Sequence, residues 1–155
     1  TQDDLVGSEV CAALKNIYAI ALGYSQVHYS NKEKIFNPES ALFSHCLNEI
    51  NLIISLLGGS SQTVFGLSGL GDLHVTSGTG RNGTLGKYLA KNKKYSEIIS
   101  NELTGETVEG AELLIELESY LKNYEHINKL PILQKLLESI CGDKNLNIPW
   151  DDLNI

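Results

Sequence analysis

Apolar residues run almost unbroken through one early segment and recur at helical spacing in several later ones. From Cys11 to Gly23 the chain reads CAALKNIYAIALG, apolar around the whole circumference of a helix except at Lys15 and Asn16. Such a helix belongs inside a core. Thr1 to Ser8 ahead of it is polar, and Gly23, tolerant of the left-handed conformation past a helix end, predicts where it stops. Tyr24 to Phe36 then reads as a polar connection. Asn37, Pro38 and Glu39 offer a cap, a first-position proline and a first-turn acid, predicting a helix from Pro38 to about Leu57 that ends at Gly58 and Gly59. A helical turn near Gln62 to Phe65 follows. Further helices are predicted around Ser96 to Leu103, Val108 to Tyr120 and Pro131 to Cys141, the last stopped by Gly142. No segment alternates apolar and polar residues with β-branched enrichment, as a half-buried strand would. The expected fold is all-α. At 155 residues the chain can bury one core and is too short for two domains of ordinary size.

Composition narrows the function classes. With 42% hydrophobic and 20% charged residues the chain is expected to fold as a globular domain. A net charge of −7 argues against nucleic acid as a partner, because phosphate backbones need a basic face. Cys11, Cys46 and Cys141 are few and widely spaced, which fits a reducing compartment, the cytoplasm by default. No apolar stretch, Leu52 to Leu57 included, is read as a membrane span, and no signal peptide opens the chain. Methionine is absent, so Thr1 is not the start codon's residue, and the chain is expected to be a piece of a longer protein.

Three features carry chemistry. Lys15 interrupts an otherwise buried helix, so its ammonium either snorkels to the rim or meets a partner. Gly78 to Gly83, GTGRNG, fits the dinucleotide-turn spacing G-x-G-x-x-G. Yet Leu73 to Thr76 makes a poor first strand, and no second strand ending in an acid follows. Backbone N–H groups at a helix start beside Arg81, the sole arginine, suit a single phosphate group instead; the plainer reading is a charge on a surface loop. Asp72, in GLGDLHVT, is either a helix cap or the carboxylate that faces Lys15. His28, His74 and His126 lack metal-ligand spacing, so no metal site is expected.

ALKNIYAIALG, GLSGLGDLHVT with GRN following, and GETVEGAELL resemble, in order and approximate spacing, the C-terminal substrate domain of bacterial-type NAD(P)-dependent glycerol-3-phosphate dehydrogenases. The resemblance implies that residues 1–155 form a helical substrate-binding and dimerisation domain, similar to that of 6-phosphogluconate dehydrogenase-like enzymes. The N-terminal dinucleotide-binding domain is then absent from this chain. It implies an enzyme that interconverts sn-glycerol 3-phosphate and dihydroxyacetone phosphate with NAD or NADP, supplying phospholipid synthesis, and that forms a homodimer. By this resemblance Lys15 and Asp72 are catalytic; Lys15, Asn16, Asp72, Thr76, Gly80, Arg81 and Asn82 line the substrate pocket; and Arg81, Thr107 and Glu109 reach the cofactor. Glu109 also reads as a first-turn acid that stabilises a helix start. Two departures stand out. Gly80 replaces a common serine, so a backbone N–H must substitute for a hydroxyl, and His45-Cys46 replaces a common Arg-Gly pair. The competing expectation is a non-catalytic helical oligomerisation module, suggested by the apolar faces of Pro38 to Leu57 and Val108 to Tyr120. Convergence of Lys15, Asp72 and Arg81 separates the two.

Overall fold

The computed structural model describes residues 4–29 and 38–153, and among these there are helices and turns but no strand. The longest helix, α1 (Leu5–His28), is the axis of the molecule, and every residue from Ile17 to Ser25 is buried. It starts earlier than the polar N-terminal residues suggest because Asp4 caps it. One carboxylate oxygen of Asp4 accepts the Gly7 N–H at 2.9 Å, and the other accepts the Ser60 N–H at 2.8 Å and the Thr63 hydroxyl at 2.6 Å. These bonds, that from Thr63 above all, hold the Asp4 carboxyl below its ordinary pKa.

The helix also runs past Gly23, contrary to the expected stop. A Cβ at Gly23 would lie 2.1 Å from the carbonyl oxygen of Gly83, so this glycine serves a close helix crossing and its conformational freedom goes unused. Tertiary contact overrides the local stop signal. By length and composition α1 could cross a membrane, but half of its most apolar window is buried within the molecule, as a central core helix requires.

Helix α2 (Pro38–Leu56) matches expectation in extent; its expected cap, Asn37, lies outside the described residues. Gly58, at φ +83°, supplies the left-handed stop. Then come α3 (Ser61–Val64), a π-helical turn (Leu67–Gly71), α4 (Asp72–Thr79), α5 (Arg81–Leu89), α6 (Tyr95–Asn101), α7 (Glu109–Glu116), α8 (Glu118–Lys122) and α9 (Pro131–Ile140), with 3-10 turns at Ile127–Lys129 and Trp150–Asp152. The single helix expected from Val108 to Tyr120 is divided at Leu117, whose φ of −88° and ψ of 0° end α7.

Helices α2, α4, α5, α7 and α9 all touch α1. The nearest is α5, which presents Gly83 and Gly86 to α1; a Cβ at Gly86 would sit 2.0 Å from the Ile20 carbonyl oxygen. Ile17, Tyr18, Ile20 and Leu22 of α1 thus meet fully buried Leu85 of α5, Leu42 and Ile54 of α2, and Leu114 of α7 in one continuous core.

Candidate active site

Three helix starts meet the middle of α1, where Lys15 and Asn16 sit. The first belongs to α4. Its leading residue, Asp72, accepts a hydrogen bond from Lys15 Nζ at 2.7 Å, with the two side chains 43% and 22% exposed. The preceding π turn sets that position. Gly69 lies so near α3 that a Cβ would approach the Val64 carbonyl oxygen to 2.0 Å, and the Gly71 N–H reaches back to the Gly66 carbonyl at 3.2 Å. Turns widened in this way recur at functional sites. The ammonium in the apolar helix is therefore paired and still open to solvent.

The second start is that of α5. Gly80 is its N-cap in an extended conformation, and a Cβ there would be 3.0 Å from the Thr76 carbonyl oxygen, which leaves little room for serine. The first-turn amides of α5 lack intrahelical acceptors, and Arg81 adds a guanidinium beside them. Arg81 Nη2 donates to Glu109 Oε1 at 2.5 Å; both side chains are about half exposed, and Glu109 opens α7, the third start. Beneath this pair Asn82 is only 3% exposed. Its Nδ2 donates to Asn16 Oδ1 at 3.2 Å, and its Oδ1 accepts the Gly110 N–H at 2.9 Å.

Lys15, Asn16, Asp72, Arg81, Asn82 and Glu109 are thus joined by direct contacts or through their chain neighbours. Thr76 lies one helical turn ahead of Gly80, where a Cβ at Gly80 would come within 3.9 Å of its Cγ2. Thr107, exposed two residues ahead of Glu109, is not part of the hydrogen-bonded set. A half-open ammonium–carboxylate pair next to a guanidinium at a helix start can bind a small phosphorylated molecule and move a proton at a neighbouring oxygen.

Residues 4–149 match the family model for the C-terminus of NAD-dependent glycerol-3-phosphate dehydrogenase. The chain belongs to that family. Among its relatives, the NADP(+)-dependent glycerol-3-phosphate dehydrogenase of Archaeoglobus fulgidus is 37% identical over 140 residues, covering 88% of this chain and 40% of the relative. A glycerol-3-phosphate dehydrogenase [NAD(P)+] of Phytoplasma australiense is 33% identical over 155 residues, covering 99% and 45%. The crystal structure of glycerol-3-phosphate dehydrogenase from Coxiella burnetii superposes with a TM-score of 0.77 at 27% identity, over 97% of this chain and 44% of that one. The chain therefore spans less than half the length of these relatives.

Within this dehydrogenase-family domain, two residues that matter escaped the sequence reading. Gly110 enters through its backbone N–H, and its only signal was a glycine directly after Glu109. Glu49 of α2 is 6% exposed and accepts three hydrogen bonds, from the Tyr18 hydroxyl at 2.8 Å and from the N–H groups of Ile132 and Leu133 at 2.7 and 3.1 Å. Burial pushes its carboxyl up from 4.5 to about 7, against the pull of those three donors. It caps α9, whose own N-cap residue, Leu130, offers no side-chain acceptor. The signal for it was a carboxylate among the apolar residues Cys46, Leu47, Ile50 and Ile53 of α2, which also carries the first-turn acid Glu39. The remaining departures concern packing: Cys46 is fully buried, and His45 lines a hollow shared with Glu49.

Proposed function

We propose that this chain is the substrate-binding and catalytic half of an NAD(P)-dependent glycerol-3-phosphate dehydrogenase, with the nucleotide-binding domain in the part of the protein outside it. The observation that carries the reading is the 2.7 Å pair of Lys15 and Asp72, linked through Asn16 and Asn82 to the helix start that bears Arg81. Arg81 and Glu109 form an exposed cation–carboxylate rim that fits a dinucleotide held mainly by another domain.

When bound, the nicotinamide supplies the hydride exchanged with C2 of dihydroxyacetone phosphate. Lys15 donates a hydrogen bond to the ketone oxygen, stabilises the charge growing there and delivers the proton; in the reverse direction its neutral amine takes the proton back. Asp72 holds the ammonium in place and lies within reach of the substrate hydroxyls. Arg81 binds the phosphate bidentately, aided by the first amides of α5.

The test joins this chain to its nucleotide-binding domain and follows NADH or NADPH oxidation driven by dihydroxyacetone phosphate. Lys15→Ala should lower kcat by about 10²-fold or more and leave KM little changed, because the contact is made mainly in the transition state. A kcat within threefold of the parent refutes the role of Lys15.

A 320 Å³ groove lined by Val10, Ile53, Leu57, Leu113 and Tyr120 supports a second, compatible reading, a homodimer. Sedimentation equilibrium tests it, and a monomer at all concentrations refutes it. The free thiols of Cys11, Cys46 and Cys141 support a cytoplasmic location.

A further inference from the structure

Lys15 in α1 and the charged residues that open α5 and α7 each have a chain neighbour turned inward. Lys15 precedes Asn16, Arg81 precedes Asn82, and Glu109 precedes Gly110. The three inward residues form one continuous hydrogen-bonded chain. Asn82 Nδ2 donates to Asn16 Oδ1, and Asn82 Oδ1 accepts from the Gly110 backbone N–H. Asn82 and Gly110 are buried.

Gly110 has no alternative there. A Cβ would lie 2.4 Å from the Asn16 carbonyl oxygen and 2.9 Å from Asn82 Oδ1, so any side chain at position 110 drives α7 away from α1 and breaks the amide chain. A buried polar network with its partners in place selects one arrangement of the elements it joins, because a displaced member leaves an unpaired polar group in a low dielectric. One peptide unit separates each member from its charged neighbour. A shift of any of these helices therefore carries a charge with it.

We propose that Asn16, Asn82 and Gly110 form a positioning clamp that fixes Arg81 relative to Lys15, so that a phosphoester held by the guanidinium presents its carbonyl to the ammonium. The exposed pairs above it do not supply this rigidity, since solvent-facing ion pairs are weak. Gly110 and Asn16 thereby become positioning residues that act through Arg81. The inference rests on the function proposed above.

A double-mutant cycle in the full-length enzyme tests it. Gly110→Ala and Asn16→Ala are each made alone and together with Arg81→Lys, and kcat and KM for dihydroxyacetone phosphate are measured for every form, with circular dichroism and gel filtration as checks of folding. With Arg81 present, each clamp variant should lower kcat/KM by about tenfold or more, since small misplacements of a positioned group are costly. In the Arg81→Lys background the same change should cost less than about twofold, because the group it positions has already lost its fork. Equal losses in both backgrounds, or no loss in either, overturn the clamp. Should Gly110→Ala fail to fold, Asn16→Ala decides by the same criterion. A parent enzyme with no turnover overturns the functional reading itself and the clamp with it, whereas an active parent with additive losses overturns the clamp alone.

Discussion

Glu49 makes stability depend on pH in a direction opposite to that of most carboxylates. Its side chain is buried between α1, α2 and α9, accepts hydrogen bonds from Tyr18, Ile132 and Leu133, and forms no ion pair among the described residues. Burial raises its pKa from 4.5 to about 7. A group whose folded pKa lies above its unfolded one takes up a proton on folding. Its stabilising contribution is therefore complete below 4.5 and is lost as pH rises through about 7. At about 1.4 kcal/mol per pH unit, the gap between those values amounts to about 3 kcal/mol.

Glu49→Gln removes the titration and keeps the volume. One amide oxygen remains for a backbone N–H of α9, while the amide nitrogen faces another donor, so the variant's absolute stability includes a fixed cost of about 1–3 kcal/mol. That cost does not vary with pH. The informative quantity is the difference between parent and variant, measured by urea unfolding at several pH values from 5 to 8 with helicity as the signal. This difference should fall by about 2.5 kcal/mol across the range, in the sense that the parent loses ground as pH rises. Parallel stability curves would refute the reasoning, and would mean that the three donors hold the carboxylate ionised in the folded state throughout.

Two shorter predictions concern the α1–α5 crossing and the Lys15–Asp72 pair. Gly86→Ala places a methyl 2.0 Å from the Ile20 carbonyl oxygen and should destabilise by about 3 kcal/mol or more, whereas Gly78→Ala, which meets nothing within 4 Å, should be neutral or stabilise by up to about 1 kcal/mol; thermal melts of the two variants check the contrast. Asp72→Asn removes the partner of Lys15 from a half-exposed pair, so stability should change by less than about 1 kcal/mol while turnover of the full-length enzyme falls at least tenfold; a large loss of stability with intact turnover would assign Asp72 to the fold.

Helices α1, α2, α7 and α9 were legible because each carries apolar residues at helical spacing and most have a local stop, whereas α4 (Asp72–Thr79), DLHVTSGT, has no apolar face and was not expected. Pro38, Gly58 and Pro131 mark ends that the structure keeps. The misplaced ends of α1 have one physical cause, contacts between residues far apart in sequence. Asp4 starts the helix early through Ser60 and Thr63, and Gly83 turns an apparent stop at Gly23 into a crossing. The charged members of the candidate site were legible for a related reason. Lys15 and Arg81 are each conspicuous against their surroundings, and the partner of Lys15, Asp72, stood in a glycine-rich turn. Gly110 was not legible, because a backbone N–H carries no residue-type signal, and the pairing of Asn82 with Asn16 spans 66 positions.

What holds the candidate site and what is proposed to perform its chemistry are therefore different residues. The ion pairs of Lys15 with Asp72 and of Arg81 with Glu109 are partly exposed, and pairs of that kind contribute at most about 1 kcal/mol each. They cannot hold three helix starts in register. Gly23 and Gly86 can, because they let α1 and α5 meet backbone to backbone; Gly83 does the same for α5 against Ser77 of α4, and Gly110 for α7 against α1. A side chain at any of these positions meets carbonyl oxygens that cannot rotate away, so the helices themselves must move. Sequence changes in this domain should then fall into two groups. Those at the charged residues should lower turnover in a protein that still folds, and those at the glycines should lower stability first and turnover as a consequence.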